Sequence, residues 1–291
     1  MRIFHQNEAG KSGLWRRVIH ALSKNPLAIF GLTLISVVVF SAIFAPWIAP
    51  HNPFDVNLKE QLLPPGGKYL LGTDDMGRDV LSRCLFGFRI SLRAAVIVIL
   101  VACTVGVILG GTAGYVGGWV ESLLMRITDM FIAFPGHVLA LAIAGALGPS
   151  LTNAIIALGA VWWPRYARMV RGQVLSTKSS LYVDAARAIG AGHLRVFTHH
   201  IFRNSFSPIL VMATMDVGIV VITLASLSFL GLGAQPPTPE LGRMIARGRL
   251  YFLNQWWIAT MPALGIFMMG LGVNLLGDAL RDILDPRAYR Q

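Results

Sequence analysis

Residues 26–49 read PLAIFGLTLISVVVFSAIFAPWIA, and no charged side chain occurs from Asn25 to Pro50. About 20 apolar residues, rising about 1.5 Å each, cross the ~30 Å hydrocarbon core of a bilayer. The stretch therefore predicts a membrane-spanning helix, closed by Pro46 and Pro50. The rest of the chain is of the same kind. Hydrophobic residues make up 55% of its 291 positions and charged residues 13%, roughly half the charge of an average soluble domain. Water is not the solvent for most of this chain.

Four further apolar intervals follow, three of them uncharged. Ala94–Val120 predicts a second span, ending in the glycine-rich turn at Gly114, Gly117 and Gly118. Met130–Pro164 is uncharged over 35 residues, too long for one span, and is interrupted by Gly148-Pro149-Ser150. It predicts two helices, the third carrying Arg126 and Asp129 near its start and the fourth Arg165 and Arg168 near its end, with those charges at one membrane face. The fifth span is expected at about Ser205–Phe229 around a single charge, Asp216, and the sixth between Arg249 and Asp278. Backbone groups in lipid must be satisfied within the segment, which selects helices over an open sheet. Barrel strands would alternate in pieces of about ten residues. The predicted fold is an all-α, polytopic membrane protein with six transmembrane helices.

The net charge of +11 does not indicate nucleic acid, because the basic residues sit between apolar runs rather than on a polar surface. They suit helix ends facing anionic membrane lipid or a partner protein. Arg2, Lys11, Arg16, Arg17 and Lys24 precede the first span against only Glu8. The positive-inside rule then places the N-terminus in the cytoplasm, and six crossings return the C-terminus there. The segment His51–Arg93, expected outside, carries six basic and five acidic residues, but long loops count less in this rule. The first apolar stretch is longer than that of a cleavable signal and reads as a retained anchor. Cys84 and Cys103 suggest neither a disulfide framework nor a zinc site. The expected organisation is a cytoplasmic segment 1–25, a first helix 26–49, an extracytoplasmic loop 50–91, a transmembrane domain 92–280 and a cytoplasmic tail 281–291.

Between the fourth and fifth spans lies KSSLYVDAARAIGAGHLRVFTHHIFRN, residues 178–204, long for a connection within a bundle. Leu181, Ala185, Ala188 and Ile189 fall at helical spacing, Gly190 and Gly192 break the pattern, and Leu194, Phe197 and Ile201 resume it. This predicts a helix-turn-helix on the cytoplasmic face, which on periodicity alone suits a lipid-headgroup surface as well as a protein partner. Asp184-Ala185-Ala186, then Gly190, then Ile201, resembles the EAA coupling loop of ATP-binding-cassette (ABC) importer permeases. The departures are Asp184 where that family has Glu, and Arg203 where this branch has proline before Asn204.

Other stretches narrow the resemblance. Leu71-Gly72-Thr73-Asp74, Gly77-Arg78-Asp79 and Ser82-Arg83 resemble the loop before the second span of peptide permeases. Ser226–Gly233 with Gln235–Glu240, and Asn274, Gly277, Asp278, Arg281, Asp282, Asp285 and Pro286, resemble their later segments. From about Pro26 onward the chain is similar to the C-type permease subunit of binding-protein-dependent dipeptide and oligopeptide importers, with nickel and glutathione permeases nearly alike. At Leu224, where many relatives are acidic, this chain is apolar.

The resemblance implies a coupling segment, including Asp184, Ala185, Ala186, Gly190 and Ile201, that docks in a groove of an ATPase. It implies as partners a second homologous permease subunit, two ABC ATPase subunits and an extracytoplasmic substrate-binding protein. It also implies ATP and Mg held by the ATPase partners, with no cofactor on this chain. No glycine begins the G-x-x-x-x-G-K-[ST] phosphate loop, and no catalytic arrangement stands out, so no enzyme is expected in the chain itself.

Asp216, as the isolated charge deep in a span, either lines the translocation path or fixes helix packing. Gly106, Gly110 and Gly114 recur every four residues and allow close helix packing, within one subunit or against a second. His193, His199 and His200 lack carboxylate or cysteine at ligand spacing. Asp74, Asp75 and Asp79 lack the alternation of a calcium loop and read as a turn capped by its own aspartates. The pairs Trp162-Trp163 and Trp256-Trp257 are expected at membrane interfaces. An ion-coupled secondary transporter is the rival class, but it needs several intramembrane ionisable groups and usually an internal repeat.

Overall fold

A computed structural model describes residues 25–192, 195 and 203–284. Nine α-helices lie among the described residues: α1 Pro26–Ile48, α2 Val80–Val116, α3 Gly118–Ala133, α4 Gly136–Leu147, α5 Leu151–Lys178, α6 Leu181–Ala188, α7 Arg203–Phe229, α8 Leu241–Gly248 and α9 Trp257–Leu284. The all-α expectation holds.

The first helix starts where Asn25 caps it, its Oδ1 accepting from the backbone N–H groups of Leu27 and Ala28. Pro46 does not close it. The helix runs on to Ile48 with the proline inside its last turn.

The second helix begins fourteen residues before the expected Ala94, at the Asp79 cap, whose carboxylate accepts from Ser82 N–H at 2.9 Å. Its 37 residues make a rod of about 55 Å, longer than the hydrocarbon core. Arg83, Arg89 and Arg93 therefore ride on a helical extension, and the loop expected to reach residue 91 ends at Asp79. At the far end Gly117 and Gly118 take φ values of +76° and +59°, the left-handed region that glycine enters at least cost.

The third expected helix is two: α3 and α4 meet at Phe134-Pro135 with a bend of 90°. Pro135 removes a backbone donor, and the residue before a proline avoids the helical region. Among the described residues α1, α2, α7 and α9 are long and apolar enough to cross a membrane, and the bent pair makes a fifth crossing if counted as one span. Helix α5 falls short by composition. It carries Arg165, Arg168, Arg171 and Lys178 within its 28 residues and packs most extensively against α2.

The core joins α2, α5, α7 and α9 through residues such as Val98, Leu158, Tyr166, Leu224 and Met269. Trp162 and Trp163 belong to this core instead of lying at an interface, and Trp257 is buried with its indole N–H donating to the Thr73 carbonyl at 3.2 Å. Of the four tryptophans only Trp256 is exposed. Helix α9 continues past residue 280 and carries Arg281, which was expected in the tail.

Candidate functional site

Helix α5 leads directly into the segment 178–204, where coupling is expected. Its last residue, Lys178, donates to the Tyr115 carbonyl at 2.7 Å, which ties the ends of α2 and α5 together. The Ser180 hydroxyl then donates to the Thr177 carbonyl, and α6 follows with one turn of connection. Val183 is fully buried and joins Val170, Val174 and Ile209 in a cluster between α5 and α7, with Ala186 also buried.

The expected apolar stripe of Leu181, Ala185, Ala188 and Ile189 lies on the opposite side. All four are exposed, Leu181 and Ile189 at 87% each. Asp184 shares that exposure. The helix ends in a Schellman-type turn: Gly190 takes φ +87°, and the Ala191 N–H reaches back to the Ala186 carbonyl at 3.0 Å. The second half of the predicted helix-turn-helix, with His193, His199, His200 and Ile201, lies outside the described residues.

Asp216 is not isolated. Arg165 on α5 donates through Nη1 to its Oδ1 at 3.1 Å, across 51 positions of sequence. The aspartate side chain is 3% exposed and the arginine side chain 49%. Tyr166 is close enough for its hydroxyl to interact electrostatically with the carboxylate. Yet neither that hydroxyl nor Asp216 Oδ2 completes a hydrogen bond among the described residues. The pair lines a cleft of ≈ 620 Å³ between α5, α7 and α9, with Ser207, Met215 and Asn274. Arg165 also borders a second cleft of ≈ 230 Å³ beside the α3–α4 bend, with Phe134, His137 and Trp162. Further along α5, Arg168 pairs with Asp129 at 2.7 Å and Arg171 with Glu121 at 2.6 Å, both acids on α3. Of the charges expected together at one membrane face, Asp129 and Arg168 do meet, whereas Arg165 pairs with Asp216 on α7.

Gly106, Gly110 and Gly114 face α5 of the same chain. A Cβ on Gly106 would overlap Tyr166, one on Gly110 the Ala167 carbonyl, and one on Gly114 would lie 2.9 Å from Val174 Cβ. This face is filled from within the subunit.

At the other end of the bundle the loop 49–79 forms a polar knot. Asp74 accepts from Arg78 Nε at 2.7 Å and from the N–H groups of Met76 and Arg78, while Arg83 Nη1 donates to the Pro53 carbonyl at 2.8 Å. Asp75 receives Arg247 of α8 at 2.6 Å across 172 positions. This pairing raises the Arg247 pKa. Asp74 and Asp79 do cap their own loop, as their spacing suggests.

In the sequence, Glu240 has no role of its own beyond closing the stretch 235–240. It is fully buried, caps α8 by accepting from Gly242 and Arg243 N–H, and receives the Ser91 hydroxyl at 3.2 Å. Its burial raises the carboxyl pKa. The only signal was a Glu placed just before an amphipathic octet, a helix-start pattern. Both thiols are free, and among the described residues no three His, Cys, Asp or Glu side chains are grouped to hold a metal ion.

A bundle of long apolar helices with a half-buried ion pair beside a cleft defines a multi-pass helical membrane protein. Residues 106–290 match the family described as binding-protein-dependent transport system inner membrane component, and residues 13–65 match the N-terminal transmembrane domain of oligopeptide transport permease C. The chain belongs to this family of inner-membrane transport permeases.

It is 41% identical over 272 residues to the probable D,D-dipeptide transport system permease protein DdpC of Escherichia coli (strain K12), covering 94% of this chain and 91% of the relative. The dipeptide transport system permease protein DppC of Alkalihalophilus pseudofirmus is 41% identical over 273 residues, covering 94% and 90%. The nickel transport system permease protein NikC of Escherichia coli (strain K12) is also 41% identical, over 255 residues, covering 88% and 92%.

Proposed function

We propose that this chain is one of two similar permease subunits that enclose the translocation path of an ATP-driven importer of di- or oligopeptides. ATP is bound and hydrolysed with Mg on two partner ATPase subunits, and an extracytoplasmic binding protein delivers the substrate. The observation that carries the reading is the 41% identity to permeases named for dipeptide transport over more than nine-tenths of this chain. The nickel permease relative supports a second reading in which the cargo is a metal ion. Peptide is preferred because the cleft presents one carboxylate paired with a guanidinium and a second guanidinium, Arg281, whereas a transition metal favours imidazole or thiolate ligands.

In this reading α1, α2, the bent pair α3–α4, α5, α7 and α9 make six crossings, with both termini in the cytoplasm. The basic surplus before α1 and around α6 supports that orientation. The ATPases grip the exposed stripe of α6. Val183 and Ala186 anchor α6 to the bundle, so displacement of α6 moves α5 as a rigid rod and with it Arg165. Closure of the ATPases then biases the bundle between two arrangements. Arg165 and Asp216 line the path.

Replacement of Gly190 by valine tests the coupling. The site has open space around it, so the bundle stays folded, while a β-branched residue resists φ +87° and re-aims the chain leaving α6. The ATPase subunits should then fail to copurify. Undiminished copurification and uptake would remove the segment from the coupling role.

A further inference from the structure

We infer that the Arg165–Asp216 pair is a binding site for the two charged ends of a zwitterionic substrate, with Asp216 taking the ammonium and Arg165 the carboxylate as the pair opens. This inference rests on the importer reading above.

The two partners are built differently. The Asp216 side chain is 3% exposed and fixed on α7, and its Oδ2 accepts no close hydrogen bond among the described residues, although the Tyr166 hydroxyl lies within reach of the carboxylate. Buried carboxylates ordinarily have both oxygens occupied. A carboxylate oxygen so loosely held suits a group with several N–H donors, and an ammonium offers three. The Arg165 side chain is half exposed and touches both clefts. It uses Nη1 alone on Asp216, leaving the remaining edge of the guanidinium for the bidentate contact that carboxylates favour.

Charge conservation selects the ligand class. A lone cation would displace Arg165 from Asp216 and leave that guanidinium, together with Arg281 on the same cleft, without a countercharge there, and a lone anion would strand the buried aspartate. A zwitterion supplies a countercharge to each member of the pair, and its carboxylate also enters a cleft that Arg281 lines. Two residues span at most about 7 Å, a separation that Arg165 can open by changing rotamer toward the second cleft while Asp216 stays in place. The adjoining ≈ 620 Å³ has room for two side chains.

The test uses the purified complex of permeases and ATPases without binding protein, so that any selectivity belongs to the membrane domain. Equilibrium retention of labelled Ala-Ala is compared with that of N-acetyl-Ala-Ala and Ala-Ala amide. Wild type should retain Ala-Ala about tenfold or more better than either blocked peptide, the size expected when one buried charge partner is removed. Asp216→Asn should lower Ala-Ala retention to that of N-acetyl-Ala-Ala without affecting the acetylated peptide. Arg165→Gln should do the same with respect to the amide. Arg165→Lys keeps the ion pair and the fold and should weaken Ala-Ala several-fold while sparing the amide.

Equal losses for free and blocked peptides, unchanged retention in the variants, or no retention by wild type would each overturn the site. ATP-driven Ala-Ala uptake with binding protein present, measured on the same preparation, separates the two readings. Uptake that persists while retention fails discards only the site, and absent wild-type uptake discards the importer reading itself.

Discussion

A methyl group on Gly110 would overlap the carbonyl oxygen of Ala167, so α2 and α5 meet there backbone to backbone. Such contact is a main source of helix association in lipid, where apolar side chains gain little by leaving one apolar medium for another. Gly110→Ala must push the rods apart at the centre of the bundle's largest interface. A cost of about 1–3 kcal/mol is expected for such overpacking, seen as a lower thermal midpoint of the detergent-solubilised complex. Gly145→Ala, on α4 with open space around it, should leave the midpoint unchanged or slightly raised.

Asp74 holds two buried arginines. Arg78 contacts it at 2.7 Å and Arg83 at 3.5 Å, each side chain under a tenth exposed. Asp74→Ala leaves both cations uncompensated, a loss of about 3–5 kcal/mol by the cost of breaking a buried pair. The variant should fail to accumulate in membranes by immunoblot. Lys68→Ala breaks a pair with Glu60 that is solvent-accessible on both sides, 58% and 28% exposed, and should accumulate near the wild-type level.

The two faces of α6 should respond in opposite ways. Val183→Ala empties part of the Val170, Val174 and Ile209 cluster and should cost about 2 kcal/mol of stability. Leu181→Glu and Ile189→Glu change only exposed positions and should leave the melting curve in place. In the coupling reading these two variants nevertheless lose the ATPase subunits on affinity purification, whereas Val183→Ala retains them at low temperature.

Glu240 gives the fold a signed pH dependence. Its folded pKa is raised because burial disfavours the carboxylate. The folded state therefore binds the proton more tightly than the unfolded chain, and stability falls as pH rises from the ordinary carboxylate value of about 4.5 through the raised one. Glu240→Gln keeps an accepting oxygen for the cap and removes the titration. Thermal midpoints measured from pH 4 upward should decline less steeply for Glu240→Gln than for wild type, and parallel curves would contradict this.

The sequence made the first helix legible to within one residue, because an uncharged run bounded by Asn25 and Pro50 leaves little choice. It concealed the start of α2, since hydropathy registers where a helix enters lipid and not where it begins. The Asp79 cap was the better marker. The split of the third span at Pro135 escapes a count of charges, because no charged residue falls between Met130 and Pro164 to mark the bend. Asp216 read as isolated because its partner lies 51 residues away, beyond any local pattern. The short helix around Asp184-Ala185-Ala186 and its stop at Gly190 were legible, but the orientation of its stripe was not. Helical spacing defines a face without stating which side meets the bundle, and it is Val183 and Ala186 that turn inward.

The most direct measurement is uptake of a labelled dipeptide into proteoliposomes holding the permease pair and its ATPases, with binding protein on the delivery side and ATP on the other. Accumulation that needs ATP, stops with a non-hydrolysable analogue and survives an uncoupler is the predicted result. Uptake that continues without ATP and collapses with the ion gradient would contradict an ATP-driven importer.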